Sequence, residues 1–153
     1  MDAIKCITEV SSLTFEEIED PNEQRQMKEK LCFYFCTMMQ QVGMTTKGRS
    51  LLQEFQSVQN TKSQAGFETF AKQLAIAISS VLRNNIDFIE TITNEIQPNN
   101  EIQMLRDQTS QGLTYLAQMS RIQDEELFKI CLDFWHFFSN DIMIKQRQYQ
   151  QNF

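Results

Sequence analysis

Between Glu125 and Ile142 the apolar residues fall on two lines instead of one. Leu127, Ile130, Cys131, Phe134 and Phe138 follow three- and four-residue steps along the first. Phe128, Leu132, Trp135 and Ile142 follow a second, rotated by about 100°, with Trp135 at its edge next to the first. A surface helix of a small bundle needs only one apolar face. A helix apolar over most of its circumference is packed on several sides. In a solenoid each helix meets its hairpin partner and the repeats before and behind it. This one segment therefore predicts an all-α fold of antiparallel helix pairs, a HEAT- or armadillo-like α-solenoid. In that reading Leu127, Ile130, Cys131, Phe134, Trp135 and Phe138 are the residues that pack repeat against repeat.

The remaining sequence is helical in period as well. A partial helix is expected over residues 2–10, carrying Ile4, Ile7 and Val10. A second helix starts at Asp20-Pro21, with Asp20 as N-cap and Pro21 in the first turn. Its stripe is Met27, Leu31, Phe35, Met38 and Val42, and Gly43 is expected to stop it. Met44–Lys62 reads as a polar connection with one short helix around Leu51, Leu52 and Phe55. The third helix begins near Ser63 with Phe67, Phe70, Leu74, Ile78, Val81 and Leu82 on one face. Asn84-Asn85 is expected to break or bend it before Ile86, Ile89 and Ile96 resume the period, and Pro98-Asn99-Asn100 forms the next turn. A fourth helix over about Glu101–Met119 bears Ile102, Leu105, Leu113 and Leu116, and its Gly112 implies a close helix contact. Asp124 caps the fifth.

Grouped by proximity, these elements give helical repeats over residues 1–145: the partial helix, a first pair over 21–96 and a second over 98–145. Residues 146–153 form a Gln-rich tail expected to fray. The unit length, roughly 40 residues plus connections, suits helical-hairpin repeats, about two and a half of them, and the chain reads as an internal slice of a longer array.

Composition narrows the function. The 153 residues contain only 4 Gly and 2 Pro, against a turn-rich sandwich or barrel. A formal charge of −6 argues against electrostatic nucleic-acid binding. No apolar run suits a membrane span, and Met1-Asp2-Ala3-Ile4-Lys5 is not expected to act as a secretory signal. Cys6, Cys32, Cys36 and Cys131 all sit in apolar helical patterns, as free buried thiols of a cytosolic or nuclear protein do. Cys32 and Cys36 share a helix face but lack further metal ligands. Cys131 and His136 stand about 140° apart around one helix, too far round to form a nucleophile–base pair. No phosphate loop or HExxH motif is present. No catalytic, cofactor or metal site is expected, and the chain reads as a binding protein. Glu16, Glu17, Glu19 and Asp20 make an acidic segment that reads as a solvated helix entry.

The run Glu126-Leu127-Phe128-Lys129-Ile130-Cys131-Leu132-Asp133-Phe134-Trp135 resembles a segment of the exportin one family of nuclear export receptors, in the karyopherin superfamily. Lys5–Val10 and Thr37–Gln40 are similar to family segments in the same order, and Phe67–Leu82 and Leu113–Met119 match in pattern. His136 departs from the Asn expected there, and the connections Met44–Lys62 and Thr93–Asn100 are longer than the family's. The resemblance implies a segment of a HEAT-repeat receptor that carries leucine-rich-signal cargo out of the nucleus together with Ran-GTP. It implies docking on nucleoporins and a location in nucleus, cytoplasm and nuclear pore. It assigns no partner-contacting residue here. The competing reading is a free-standing helical adaptor or scaffold unrelated to transport.

Overall fold

Asp20 and Asp124 open the helices that the sequence assigns to them. Asp20 accepts the Asn22 amide at 2.9 Å, and Asp124 accepts the Leu127 amide at 2.8 Å. In the computed structural model, which describes residues 2–12, 15–94 and 99–152, the elements are all helical. They are α1 (Asp2–Ser11), a 3-10 turn (Phe15–Glu17), α2 (Pro21–Thr45), α3 (Leu51–Val58), α4 (Gln64–Thr93), α5 (Asn100–Met119) and α6 (Glu125–Gln151). The expectations placed on Met1, Ile96, Pro98 and Phe153 lie outside the described residues.

The helices form two layers. α2 and α5 lie side by side in one; α1, α4 and α6 stack in the other. Stacking along a layer is more extensive than the contact inside either hairpin, α2 with α4 or α5 with α6. Neighbours within a layer run parallel, since Lys72 near the start of α4 reaches Asp124 and Lys145 near the end of α6 reaches Glu90. Helices of opposite layers run antiparallel, as Lys28 early in α2 lies over Phe88 late in α4. This is the arrangement of a helical-repeat solenoid.

α4 is the central rod. Leu74, Ile78, Val81 and Leu82 are fully buried, and Ala71, Ala75 and Ala77 let α1, α5 and α6 approach it. Gly112 of α5 is the tightest point. A Cβ there would stand 3.2 Å from Ile78 Cγ2 and 3.5 Å from Phe35 Cζ, so a side chain would have to push Ile78 aside where three helices meet. The short helix α3 is held by a reciprocal Ser50–Gln53 capping box and by Gln118, which accepts the Leu51 amide at 2.8 Å.

Several expectations are corrected. Asn84-Asn85 does not interrupt α4. The Asn84 amide donates to the Ser11 carbonyl at 2.6 Å, capping the end of α1, and Asn85 turns back onto the Val81 carbonyl at 3.0 Å. Gly43 does not end α2. The helix runs on to Thr45, and the chain turns at Lys47 and Gly48, which adopt φ of 50° and 77°. The Gln-rich stretch after residue 145 stays helical to Gln151, since Gln and Arg are good helix formers and no breaker intervenes. Met27 is exposed, because the buried part of α2 begins only at Leu31. Cys6 is exposed as well, because it lies on the open groove between α1 and α2.

Candidate interaction surfaces

On α6 the first line of apolar residues faces inward. Leu127, Cys131 and Phe134 are buried, while Ile130, Trp135 and Phe138 are half-buried against the same core. Phe134 stacks on Phe138 with centroids 5.7 Å apart and meets Trp135 edge-on at 5.4 Å. The Trp135 indole N–H donates to Ser120 Oγ at 3.2 Å, fastening α6 to the turn that precedes it. The second line is open: Phe128 is 47 % exposed, Leu132 52 % and Ile142 49 %. The sequence pattern had suggested packing around most of α6. Here α4 and α5 cover one side of it, and an uncovered apolar line remains on the other.

At the opposite end, a groove of about 540 Å³ opens between α1 and α2, walled by Ile7, Val10, Met38 and Val42. A second groove, about 560 Å³, lies between α2 and α5. It mixes charge with exposed aromatics, among them Arg25, Glu29, Phe33 and Tyr34. In the acidic segment Glu17, Glu19 and Asp20 are exposed, and Asp20 is engaged as a cap.

Two lysines pin α4 to α6, one at each end. Lys72 Nζ lies 3.1 Å from Asp124 and 2.8 Å from Glu126. Lys145 Nζ lies 2.9 Å from Asp87, 2.7 Å from Glu90 and 2.8 Å from Asp141. Burial works against the charged Lys145, but the three carboxylates outweigh it and hold the ammonium above its ordinary pKa. Between the clamps Arg83 lies over the Phe137 ring, 5.3 Å from its centroid. None of these pairs is visible in the sequence, because the partners are far apart along the chain. Only the helix pairing reveals them.

The three buried thiols are poorly suited to chemistry. Burial, with help from neighbouring Cys36 and Glu29, pushes Cys32 up to about 12; burial alone pushes Cys36 up to about 11. Cys131 is also raised by burial, against a hydrogen bond from Ser120 that lowers it. His136 is exposed and faces Asn140, away from the buried Cys131. Among the described residues no group of three or more His, Cys, Asp or Glu could hold a metal ion, and no helix is long and apolar enough to cross a membrane.

Residues 107–143, from within α5 to within α6, match the family model described as a chromosome region maintenance or exportin repeat. The α5–α6 pair is therefore similar to an exportin repeat over these residues. The likeness to exportins extends beyond this pair. The chain is 26% identical over 133 residues to Protein EXPORTIN 1B of Arabidopsis thaliana, which covers 87% of the chain and 10% of that protein. It is 26% identical over 132 residues to Exportin-1 of Schizosaccharomyces pombe, covering 86% of the chain and 10% of the relative. The chain thus spans about a tenth of the length of these curated relatives. No solved structure gives a significant match. The matched span includes Leu127, Ile130, Cys131, Phe134, Trp135 and Phe138, the residues that the sequence marks for packing repeat against repeat.

Proposed function

We propose that the chain serves as a segment of a nuclear export receptor and acts by binding, without catalysis. The receptor to which such repeats belong carries cargo with leucine-rich export signals out of the nucleus together with Ran-GTP. It docks on nucleoporins and shuttles between nucleus and cytoplasm through the pore. The observation that supports this most directly is the exportin-repeat match over residues 107–143, seated on a preceding helix pair in the same two layers.

The contribution of this segment is mechanical. An array of stacked repeats bends by small shifts at each repeat interface. Two ligands that favour the same curvature raise each other's affinity without touching, by about 1–3 kcal/mol in typical cases. In this reading Leu127, Ile130, Cys131, Phe134, Trp135 and Phe138 keep successive repeats in register. The lysine clamps between α4 and α6 set how far these two helices slide. The acidic surface and the thiol environment fit a protein-binding role better than nucleic-acid, membrane or nucleophilic chemistry.

The test is a binding assay on the complete polypeptide that carries these repeats. GTP-loaded Ran and a leucine-rich signal peptide are titrated separately and together. The expected result is that each tightens the other, and that Trp135→Ala weakens this coupling more than it weakens either ligand alone. Absence of Ran binding and of signal-peptide binding would favour a helical adaptor instead.

A further inference from the structure

The connection between α2 and α4 is longer than a hairpin of these helices needs. Residues 120–124 alone join α5 to α6, whereas residues 46–63 join α2 to α4 and carry α3 among them. Although α3 follows α2, it does not pack on it. Among the described residues it rests on α4, the second helix of its own pair, and on α5, the first helix of the other. Leu51 is fully buried, and its amide donates to Gln118 Oε1 near the end of α5 at 2.8 Å. Phe55 is buried and meets the Phe67 ring near the start of α4, with centroids 5.9 Å apart. On either side of α3 the backbone turns through positive φ, at Lys47 and Gly48 before it and at Asn60 after it.

A helix of eight residues does not hold alone in water, since even favourable sequences are marginal below about 12–15 residues. α3 is therefore folded only while α4 and α5 both stand beneath it. Its hold is small beside that of the rod it leans on: α3 buries Leu51 and Phe55, whereas α4 buries ten residues. We infer that α3 is a strap across the junction of the two helix pairs. It folds onto α4 and α5 when they stand in this register, and it unfolds as a unit, between Lys47-Gly48 and Asn60, when they part. Opening the junction then costs the folding of α3 in addition to the α4–α5 contact. Helix stacking by itself does not supply such a device, because the short α5–α6 turn closes its pair without one. The strap is built from this chain's own residues and stands whether or not the export reading holds.

Hydrogen exchange of the intact chain, followed by mass spectrometry, tests this. The amides of residues 53–58 should exchange about tenfold or more faster than those of residues 74–82 in α4, through an opening smaller than global unfolding. Gln118→Ala removes the acceptor on α5. Gly48→Ala puts a side chain at φ of 77°, where a Cβ would meet nothing within 4 Å and only the backbone is strained. Each should speed exchange of residues 53–58 roughly fivefold and leave residues 74–82 unchanged. Gly112→Val should wedge α4 from α5 and speed residues 53–58 at least as much, although the nearest atoms to its Cβ belong to Ile78, Phe35 and Met39 and not to α3. Equal protection of α3 and α4 overturns the inference, because α3 would then open only with the whole fold. So does parent-like exchange of α3 in the Gln118→Ala and Gly48→Ala chains, or in a folded Gly112→Val chain. Should Gly112→Val fail to fold, the other two variants decide.

Discussion

Gly112 of α5 and Ile78 of α4 approach so closely that a Cβ on Gly112 would lie 3.2 Å from Ile78 Cγ2. Ile78 is fully buried, so it has little room to withdraw. Gly112→Val should therefore destabilise the fold by about 1–3 kcal/mol, the usual cost of overfilling a packed interior. Gly112→Ala should cost less, because the gain in helix propensity of about 1 kcal/mol offsets part of the clash. Urea denaturation of both variants checks the order. A valine variant as stable as the parent would mean that α4 and α5 can move apart.

Position on α6 predicts opposite outcomes for neighbouring aromatic and aliphatic residues. Phe134 is fully buried among Trp135, Phe137 and Phe138, so Phe134→Ala should cost about 3–5 kcal/mol. Leu132→Ser lies on the open line and should change stability by about 0.5 kcal/mol or less in this chain. In a polypeptide where a further repeat covers α6, the same substitution should become costly. Thermal melts of both variants in both contexts separate these cases.

The lysine clamps predict a salt response. Lys145 faces three carboxylates while remaining partly exposed, so solvent screens each pair. Lys145→Ala should cost roughly 1 kcal/mol at low salt and less at high salt. The loss comes from repulsion among Asp87, Glu90 and Asp141 once the cation is gone. Melting temperatures across an ionic-strength series check this, and a cost independent of salt would argue for lost packing instead.

Acid should weaken the fold through Asp124. Partial burial pushes its carboxyl up, but the Leu127 amide and the Lys72 ammonium outweigh that and hold it below the usual carboxylate value. A lowered folded pKa gives stability that is present above the unfolded value and lost as pH falls through the folded one. The clamp lysines work in the opposite sense. Hydrogen bonds donated to Glu126 and Asp124 raise Lys72, and the carboxylates around Lys145 raise it despite burial. Their contribution is full below the unfolded lysine value and disappears only as pH rises through the folded one. Asp124→Ala should cost about 1 kcal/mol at neutral pH through the lost cap, and the gap to the parent should close towards pH 3. Asp124→Asn keeps the cap and should flatten the acid dependence. Denaturant midpoints at several pH values measure both.

Thiol reactivity should be uneven. Cys6 is exposed, whereas burial raises Cys32, Cys36 and Cys131. In native protein at pH 8, one equivalent of thiol should react with a disulfide reagent in minutes. The other three should react only on unfolding. Fast reaction of more than one equivalent would show that α2 or α6 opens locally.

The amino-acid pattern by itself determined the helices, their caps at Asp20 and Asp124, the layered repeat class and the special position of Gly112. Each of these follows from local spacing, from capping chemistry, or from the cost of a glycine inside a helix, all of which are read within a few residues. Only the tertiary structure decided what Asn84 and Asn85 do. Alone they are helix breakers; against Ser11 of a distant helix, Asn84 becomes a cap. The same holds for Cys6, which has the sequence pattern of a core thiol but lies exposed on the α1–α2 groove, and for the second apolar line of α6. It holds above all for the Lys72 and Lys145 clamps and for the open α1–α2 groove. Periodicity shows that a face is apolar, but which neighbour covers it depends on contacts between residues far apart in the chain, and a local pattern does not encode them.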